Sequence, residues 1–424
     1  MARLAAGGGT APPDGGAGVN RAALADRREA QLRAQLAERT EANRRFFAPR
    51  AERLAHLCHR MAERFARGGR LIALASTPAA RSDARHVAVE FVHPVIVGKR
   101  ALPAIALIGD GGELAAQAAL LARPDDIAIA FGTDEDGGAA ARALRITRER
   151  ACLTLAFSAA GAEWELEPSG SDRHVRQELI ETLYHVLWEL VHVFFEHRGL
   201  LEGRDRRATH DAGASSFLYP FLAEREDDLE RVIGDVASSA ELKSEEIGAL
   251  REQTLSDNAA GLSAAADTLR ESLGAGGTLL ALGNGGSATD AMDVVADFRH
   301  PGRGERGWPA IDLTEDPAIL TAIANDIGTE AIFARQVIAY GRPGDVLLAL
   351  STSGNSANVI AALAQARRQN LKTIAMVGYD GGRIDAEGLA DHVIVSRSEH
   401  IPRIQEAQAS AYHVLRVLTE EPAG

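Results

Sequence analysis

"ALGNGGSATDAMDVVADF", residues 281–298, runs from an apolar strand end through a glycine–serine turn into a helix carrying Asp290, Asp293 and Asp297 on its polar face. Glycines let a backbone approach a ligand closely, and the free N–H groups of a helix start, with the helix dipole behind them, attract an anion. The turn therefore reads as a phosphate cradle formed by Asn284, Gly285, Gly286 and Ser287. Taken alone, such a turn also suits a dinucleotide, or is merely tight. Its outline recurs at 74–91, "LASTPAARSDARHVAVEF", without the glycines, and there His86 and Glu90 stand where Asp293 and Asp297 stand.

The recurrence extends outward on both sides. "ARGGRLIAL" (66–74) matches "GAGGTLLAL" (274–282), "LPAIAL" (102–107) matches "WPAIDL" (308–313), "PDDIAIAF" (124–131) matches "PGDVLLAL" (343–350), and "YHVL" occurs at 184–187 and 412–415. Matches in one order mark an internal duplication, which has to be recognised before elements are assigned. The chain divides into a disordered tail (1–20), a first repeat (21–198), a linker (199–222) and a second repeat (223–424). Each repeat opens with a long helical stretch and then alternates amphipathic segments with short runs such as "TLLAL", "VLLAL" and "TIAMV". Runs that are apolar throughout and separated by helices are what parallel strands covered on both faces require. The expected fold is α/β: two tandem doubly wound, flavodoxin-like parallel-sheet domains, each with an N-terminal helical extension.

Composition narrows the function classes. A chain of 424 residues is too long for one ordinary core. A net charge of −13 repels phosphate backbones and argues against nucleic acid as a partner. Cys58 and Cys152 are far apart, so neither a disulfide framework nor a thiolate metal site is expected, and a cytoplasmic location fits. No stretch approaches the roughly 20 apolar residues of a membrane span.

A second turn corroborates the first. "LALSTSGNSANVIAAL" (348–363) places Ser351, Thr352, Ser353 and Ser356 around Gly354 where another strand meets another helix. Helix capping explains one or two of these hydroxyls, not four. Two such turns at neighbouring strand ends would face one crevice at the carboxyl edge of the sheet, where ligands of this fold class bind.

At these residues the chain resembles a known family. "GNGGSATDAM", "AIANDIGTEAIFARQV", "GRPGDVLLALSTSGNSANVIAAL" and "RIQEAQASAYHVL" are similar to segments of the phosphoheptose isomerases, members of the sugar isomerase (SIS) domain superfamily. The likeness spans nearly all of the second repeat, and the first is a more distant copy. It implies an aldose–ketose isomerase that interconverts sedoheptulose 7-phosphate and glycero-manno-heptose 7-phosphate, with a zinc site beside the phosphate pocket at subunit interfaces. Carried over by position, Ser287, Ser351, Thr352, Ser353 and Ser356 contact the phosphate, and Asn325 and Asp326 belong to a loop that contacts the sugar.

The family's metal ligands are a histidine and a glutamate one helical turn apart, then a glutamine and a histidine near the C-terminus. The second repeat has Asp293, Asp297, Gln405 and His413 there, and the first has His86, Glu90, Gln177 and His185. The first set has all four ligand types, with Glu90 and His185 expected to move protons; the second is an alternative, oxygen-rich site. Imidazole and oxygen donors without thiolate suit zinc, with nickel, cobalt or manganese left open. The first repeat lacks the phosphate half: "ASTPAARS" replaces the glycine turn, Asp134, Glu135 and Asp136 occupy the place of the serines, and a shorter segment removes the Asn-Asp loop. The expectation is that one copy keeps the metal and the other the substrate, in a homodimer that rebuilds a four-unit layout. A non-catalytic sugar-phosphate sensor or scaffold, and an isomerase or epimerase for another phosphosugar, are the competing readings.

Overall fold

The computed structural model describes residues 15–95, 99–132, 138–168, 170, 172–196, 201, 228–302 and 304–420. In the first half the elements are α1 (Gly15–Phe47), α2 (Ala51–Ala66), β1 (Leu71–Ala75), α3 (Pro78–Val92), β2 (Ala104–Ile108), α4 (Gly112–Leu121), β3 (Ile127–Ala130), α5 (Ala139–Glu149), β4 (Leu153–Ala156), β5 (Trp164–Glu165) and α6 (Arg173–Glu196). The second half has α7 (Leu229–Asp257), α8 (Ala259–Gly274), β6 (Leu279–Leu282), α9 (Gly286–Arg299), β7 (Ala310–Asp312), α10 (Pro317–Asp326), α11 (Ile332–Tyr340), β8 (Val346–Ser351), α12 (Ala357–Arg368), β9 (Lys372–Gly378), α13 (Gly382–Ala386), β10 (His392–Ser396) and α14 (Ile401–Glu420).

Each half forms a five-stranded, wholly parallel sheet, ordered β2-β1-β3-β4-β5 and β7-β6-β8-β9-β10. The registers agree: Leu71 faces Ala104 and Ile127, and Leu279 faces Ala310 and Val346. Every residue of β1, β3, β4, β6 and β8 is buried, as strands covered on both faces must be. Apolar clusters lie on each side of each sheet, for example Leu280, Leu282, Leu347 and Val377 under α11 and α12. Among the described residues no helix is long and apolar enough to cross a membrane, and both cysteines are free.

The halves join along a pseudo-twofold seam in which α3 packs on α9 and α6 on α14. The N-terminal helices cross this seam. Leu32 of α1 packs into the core of the second sheet, and Arg28 grips Asp267 and Ser263 of α8 at 2.6 and 2.8 Å. In return Val232, Ile233, Val236 and Ala240 of α7 complete the core of the first sheet.

Two boundaries differ from expectation or fall outside it. Helix α1 begins at Gly15, so residues 15–20, read as tail, are helical: once the alanine-rich turns beyond Asn20 are formed, adding residues to a helix costs little. Residues 1–14, and the linker read at 199–222 apart from the buried Leu201, lie outside the described residues.

Because the helices are exchanged, a core truncation in α7 should be felt in the first half. Ile233→Ala is expected to cost about 2–4 kcal/mol in chemical denaturation. Amide exchange should quicken in β1 and β3 rather than in β6 and β8.

Candidate active site

The two ligand-like turns sit side by side because β6 and β8 are hydrogen-bonded neighbours. Gly283 has no room for a side chain, since a Cβ would lie 2.2 Å from the Ser287 carbonyl oxygen, and Gly285 holds a left-handed φ of +57°. No side chain caps the start of α9, which leaves its first N–H groups available to an anion. The turns are tied together by reciprocal amide bonds: Asn284 Nδ2 donates to Asn358 at 2.9 Å and Asn358 Nδ2 returns one at 2.8 Å. The one sequence signal for Asn358 is its place in the first turn of a helix that follows a serine cluster. Ser351 and Ser356 bring their hydroxyls to 3.3 Å of one another, and Ser353 Oγ accepts from the Asn355 N–H at 3.2 Å. The Thr352 carbonyl accepts from Gly378, which fixes the turn to the next strand. Asn325 and Asp326 lie apart from this crevice on the exposed end of α10, where they bond to each other at 2.8 Å and to neither turn.

Beside the cradle four buried side chains converge from both halves. His86 Nε2 lies 3.3 Å from His185 Nε2, 3.8 Å from Glu90 Oε1 and 3.4 Å from Gln405 Nε2. The fourth residue corrects the sequence reading: Gln177 is not in this group, and Gln405 of the other half takes its place. Gln177 precedes His185 by eight residues, about 12 Å of helix rise, which is too far for both to close on one ion. Across the seam α14 supplies the amide instead. The link to the cradle is direct, since a Cβ on Gly286 would lie 1.9 Å from Gln405 Nε2 and 2.8 Å from His86 Nε2.

Outer contacts fix the rings. The Glu406 carboxylate can only accept, so His185 Nδ1 donates to it at 2.9 Å and turns Nε2 toward His86. Burial opposes ionisation of Glu406, but Arg403 and His185 hold its carboxyl below the ordinary range. Burial pushes His86 well below the usual imidazole value, with His185 adding to it. Burial also lifts Glu90 to about 7; His185 opposes the rise while Glu189 and Glu406 add to it. Glu90 Oε2 and Gln405 Oε1 are buried without a partner, and Gln405 presents either end of its amide by a half-turn. Two imidazoles, a carboxylate and an amide oxygen are a donor set that fits a divalent transition metal such as zinc.

The pseudo-equivalent pocket holds the remaining expected residues, with its chemistry replaced. Gln177 Nε2 and Tyr412 Oη both donate to Asp293 at 2.8 Å. His413 Nε2 lies 3.4 Å from Asp293 and 3.5 Å from Asp297, and its Nδ1 donates to Glu178 at 2.9 Å. His174 stacks on His413, centroids 4.6 Å apart, and reaches Asp297 at 3.4 Å. Burial would lower His413, but Asp293, Glu178 and Asp297 raise it to about 10, so an imidazolium balances the carboxylates. For Asp297, burial is outweighed by His174, His413 and Arg173, which hold it at about 2. On the cradle side Thr77 Oγ1 accepts from the Ala80 N–H at 3.3 Å, and Pro78 removes a donor, so the helix start is already satisfied. Asp134, Glu135 and Asp136 lie outside the described residues.

A model of the SIS domain family matches residues 244–378. The phosphoheptose isomerase of Thermodesulfovibrio yellowstonii is 42% identical over 178 residues, 42% of this chain and 88% of that protein. The phosphoheptose isomerase of Roseiflexus sp. is 42% identical over 193 residues, 45% of this chain and 91% of its own. Among solved structures, the C-terminal domain of glucosamine-fructose-6-phosphate aminotransferase from Francisella tularensis aligns with 92% of this chain and 93% of that one. Its TM-score is 0.54 at 9% identity, a likeness of fold alone.

The raised His413 fixes a sign for the pH dependence of stability. A histidine whose folded value of about 10 exceeds the ordinary value near 6.5 contributes stability that is complete below the lower value and lost as pH climbs through the higher. The melting temperature should therefore fall between pH 7 and 10, and His413→Gln should flatten that fall, measured by calorimetry across the range.

Proposed function

The chain belongs to the phosphoheptose isomerase family and is a phosphosugar isomerase, and from that premise we propose that it interconverts sedoheptulose 7-phosphate and glycero-manno-heptose 7-phosphate through an enediol. The pocket is a composite in which the second repeat grips the phosphate and the first repeat carries the proton chemistry. One observation carries this reading: Gly286 of the cradle lies against His86 and Gln405, so the anion site and the imidazole pair share one space.

Moving a proton between C1 and C2 calls for a base near those carbons and a second group at the sugar oxygens. Glu90, lifted to about 7 by burial, is divided between its two protonation states near neutrality and can both take and return a carbon-bound proton. His185, its Nδ1 committed to Glu406, presents only Nε2 to the pocket, which serves the sugar oxygens directly or, when zinc is bound, holds the ion that faces them. The N–H groups at the start of α9, with Ser287, Ser351, Thr352, Ser353 and Ser356, hold the phosphate and set the distance from it to the reacting carbons. His86, Glu90, His185 and Gln405 would hold the zinc, which when bound supplies positive charge to stabilise an enediolate.

The Asn325–Asp326 corner is exposed in the chain, as are the adjoining Ile327, 58% exposed, and Ile338 of the next helix, 48% exposed. That combination supports a homodimer in which a second copy covers this corner and brings the pair toward a sugar. Light scattering should then give twice the chain mass.

Glu90→Gln should lower kcat by about 10²–10⁴-fold with substrate binding retained. Ser353→Ala should raise KM by about 10-fold with kcat little changed, the loss of one hydrogen bond to a charged group. Asp297→Asn should leave kcat near wild type. Full activity in Glu90→Gln with its loss in Asp297→Asn would move the chemistry to the other pocket. Exchange of the C2 proton with solvent, followed by NMR on sedoheptulose 7-phosphate and on ketose 6-phosphates, tests the sugar.

A further inference from the structure

Behind the His86 ring, on the pseudo-twofold seam, lies a small polar cavity in which about 10 Å³ is open to a water-sized sphere. That is room for one water or one ion. Its walls include Glu181 of α6, Asp290 of α9, and Asp83 and Asp293 from the two facing helices. Asp293 is satisfied by Gln177, Tyr412 and His413, but Asp290 Oδ2 and Glu181 Oε1 are buried without any partner. Glu181 is 4% exposed and Asp290 2%.

Two buried carboxylates with orphaned oxygens are costly unless a proton or a cation neutralises them. The two carboxylates converge with an imidazole: one donor atom each from His86, Glu181 and Asp290 lies within 4.8 Å of the others. His86 faces two ways, with Nε2 turned to His185 and Nδ1 lying 3.6 Å from Asp290 Oδ1.

We propose that this cavity is a second cation site, in which His86 Nδ1, Glu181 and Asp290 hold one divalent transition-metal ion on the seam. One imidazole and two carboxylates are hard and borderline donors of the kind that zinc and manganese accept. With both pockets filled, His86 bridges as imidazolate and its ring proton passes to solvent. The ion joins α3, α6 and α9, and so ties the first half to the second. The site stands independently of the isomerase reading, since it needs neither sugar nor turnover.

The test is metal analysis of chelator-stripped full-length protein titrated with Zn²⁺, with Glu181→Gln and His185→Asn alongside. Two equivalents are expected in the wild type, with one lost in each variant. One equivalent in the wild type that disappears in Glu181→Gln and persists in His185→Asn would uphold this site while removing the other. Equal zinc content in Glu181→Gln and wild type would overturn it. Glu181→Gln preserves volume and removes a buried charge, so without metal it should melt at or above the wild-type temperature and gain less on adding Zn²⁺. Anomalous diffraction from wild-type crystals supplies a check that needs no variant: a zinc peak between His86, Glu181 and Asp290 is expected, and its absence overturns the proposal.

Discussion

Buried charge on the pseudo-twofold seam governs the rest of the molecule. Glu178 of the first half accepts from His413 of the second, and Glu406 of the second accepts from His185 of the first. Each glutamate is backed by an arginine, Arg39 for Glu178 and Arg403 for Glu406. Removing one member of such a buried set leaves an uncompensated ion, at a cost of about 3–5 kcal/mol. The seam is thus held to one register, and that register brings Gly286 to His86.

The same geometry produces two pockets of unequal content. In one, bare N–H groups, serines, two imidazoles, a carboxylate and an amide meet. In the other, Thr77 and Pro78 close the helix start, and the His413 imidazolium, with His174 stacked on it, faces Asp293 and Asp297. The imidazolium supplies the positive charge that a bound metal would supply in a pocket of the first kind. Each pocket draws its glutamine and its cradle position from one half and its histidine pair, or what replaces it, from the other. Each pocket is therefore a composite of both repeats, and the two differ in the chemistry of the side chains that line them.

Much of this was legible in the residues. The apolar runs gave the parallel strands, and the repeated strings set Leu71 and Leu279 at equivalent positions in both sheets. Local patterns carry that information because strand burial and turn chemistry are short-range. The choice between Gln177 and Gln405 is long-range, and a chain that contains both at the same offset from a histidine does not say which crosses the seam. Only the eight-residue spacing hinted that glutamine and histidine of one helix serve different pockets. The exchange of α1 and α7 left no signal either, since an amphipathic helix presents the same apolar face to either sheet. Asn284 was noticed for its turn, but its partner Asn358 lies 74 residues away.

Fusion has a consequence for how such a molecule can change. Where two identical subunits meet on a true dyad, any substitution is written into both clefts at once, so neither can lapse without the other. Joining the copies into one polypeptide lifts that restriction, and a histidine in one cleft can become an aspartate while its counterpart is kept. The altered cleft is then free to become mortar.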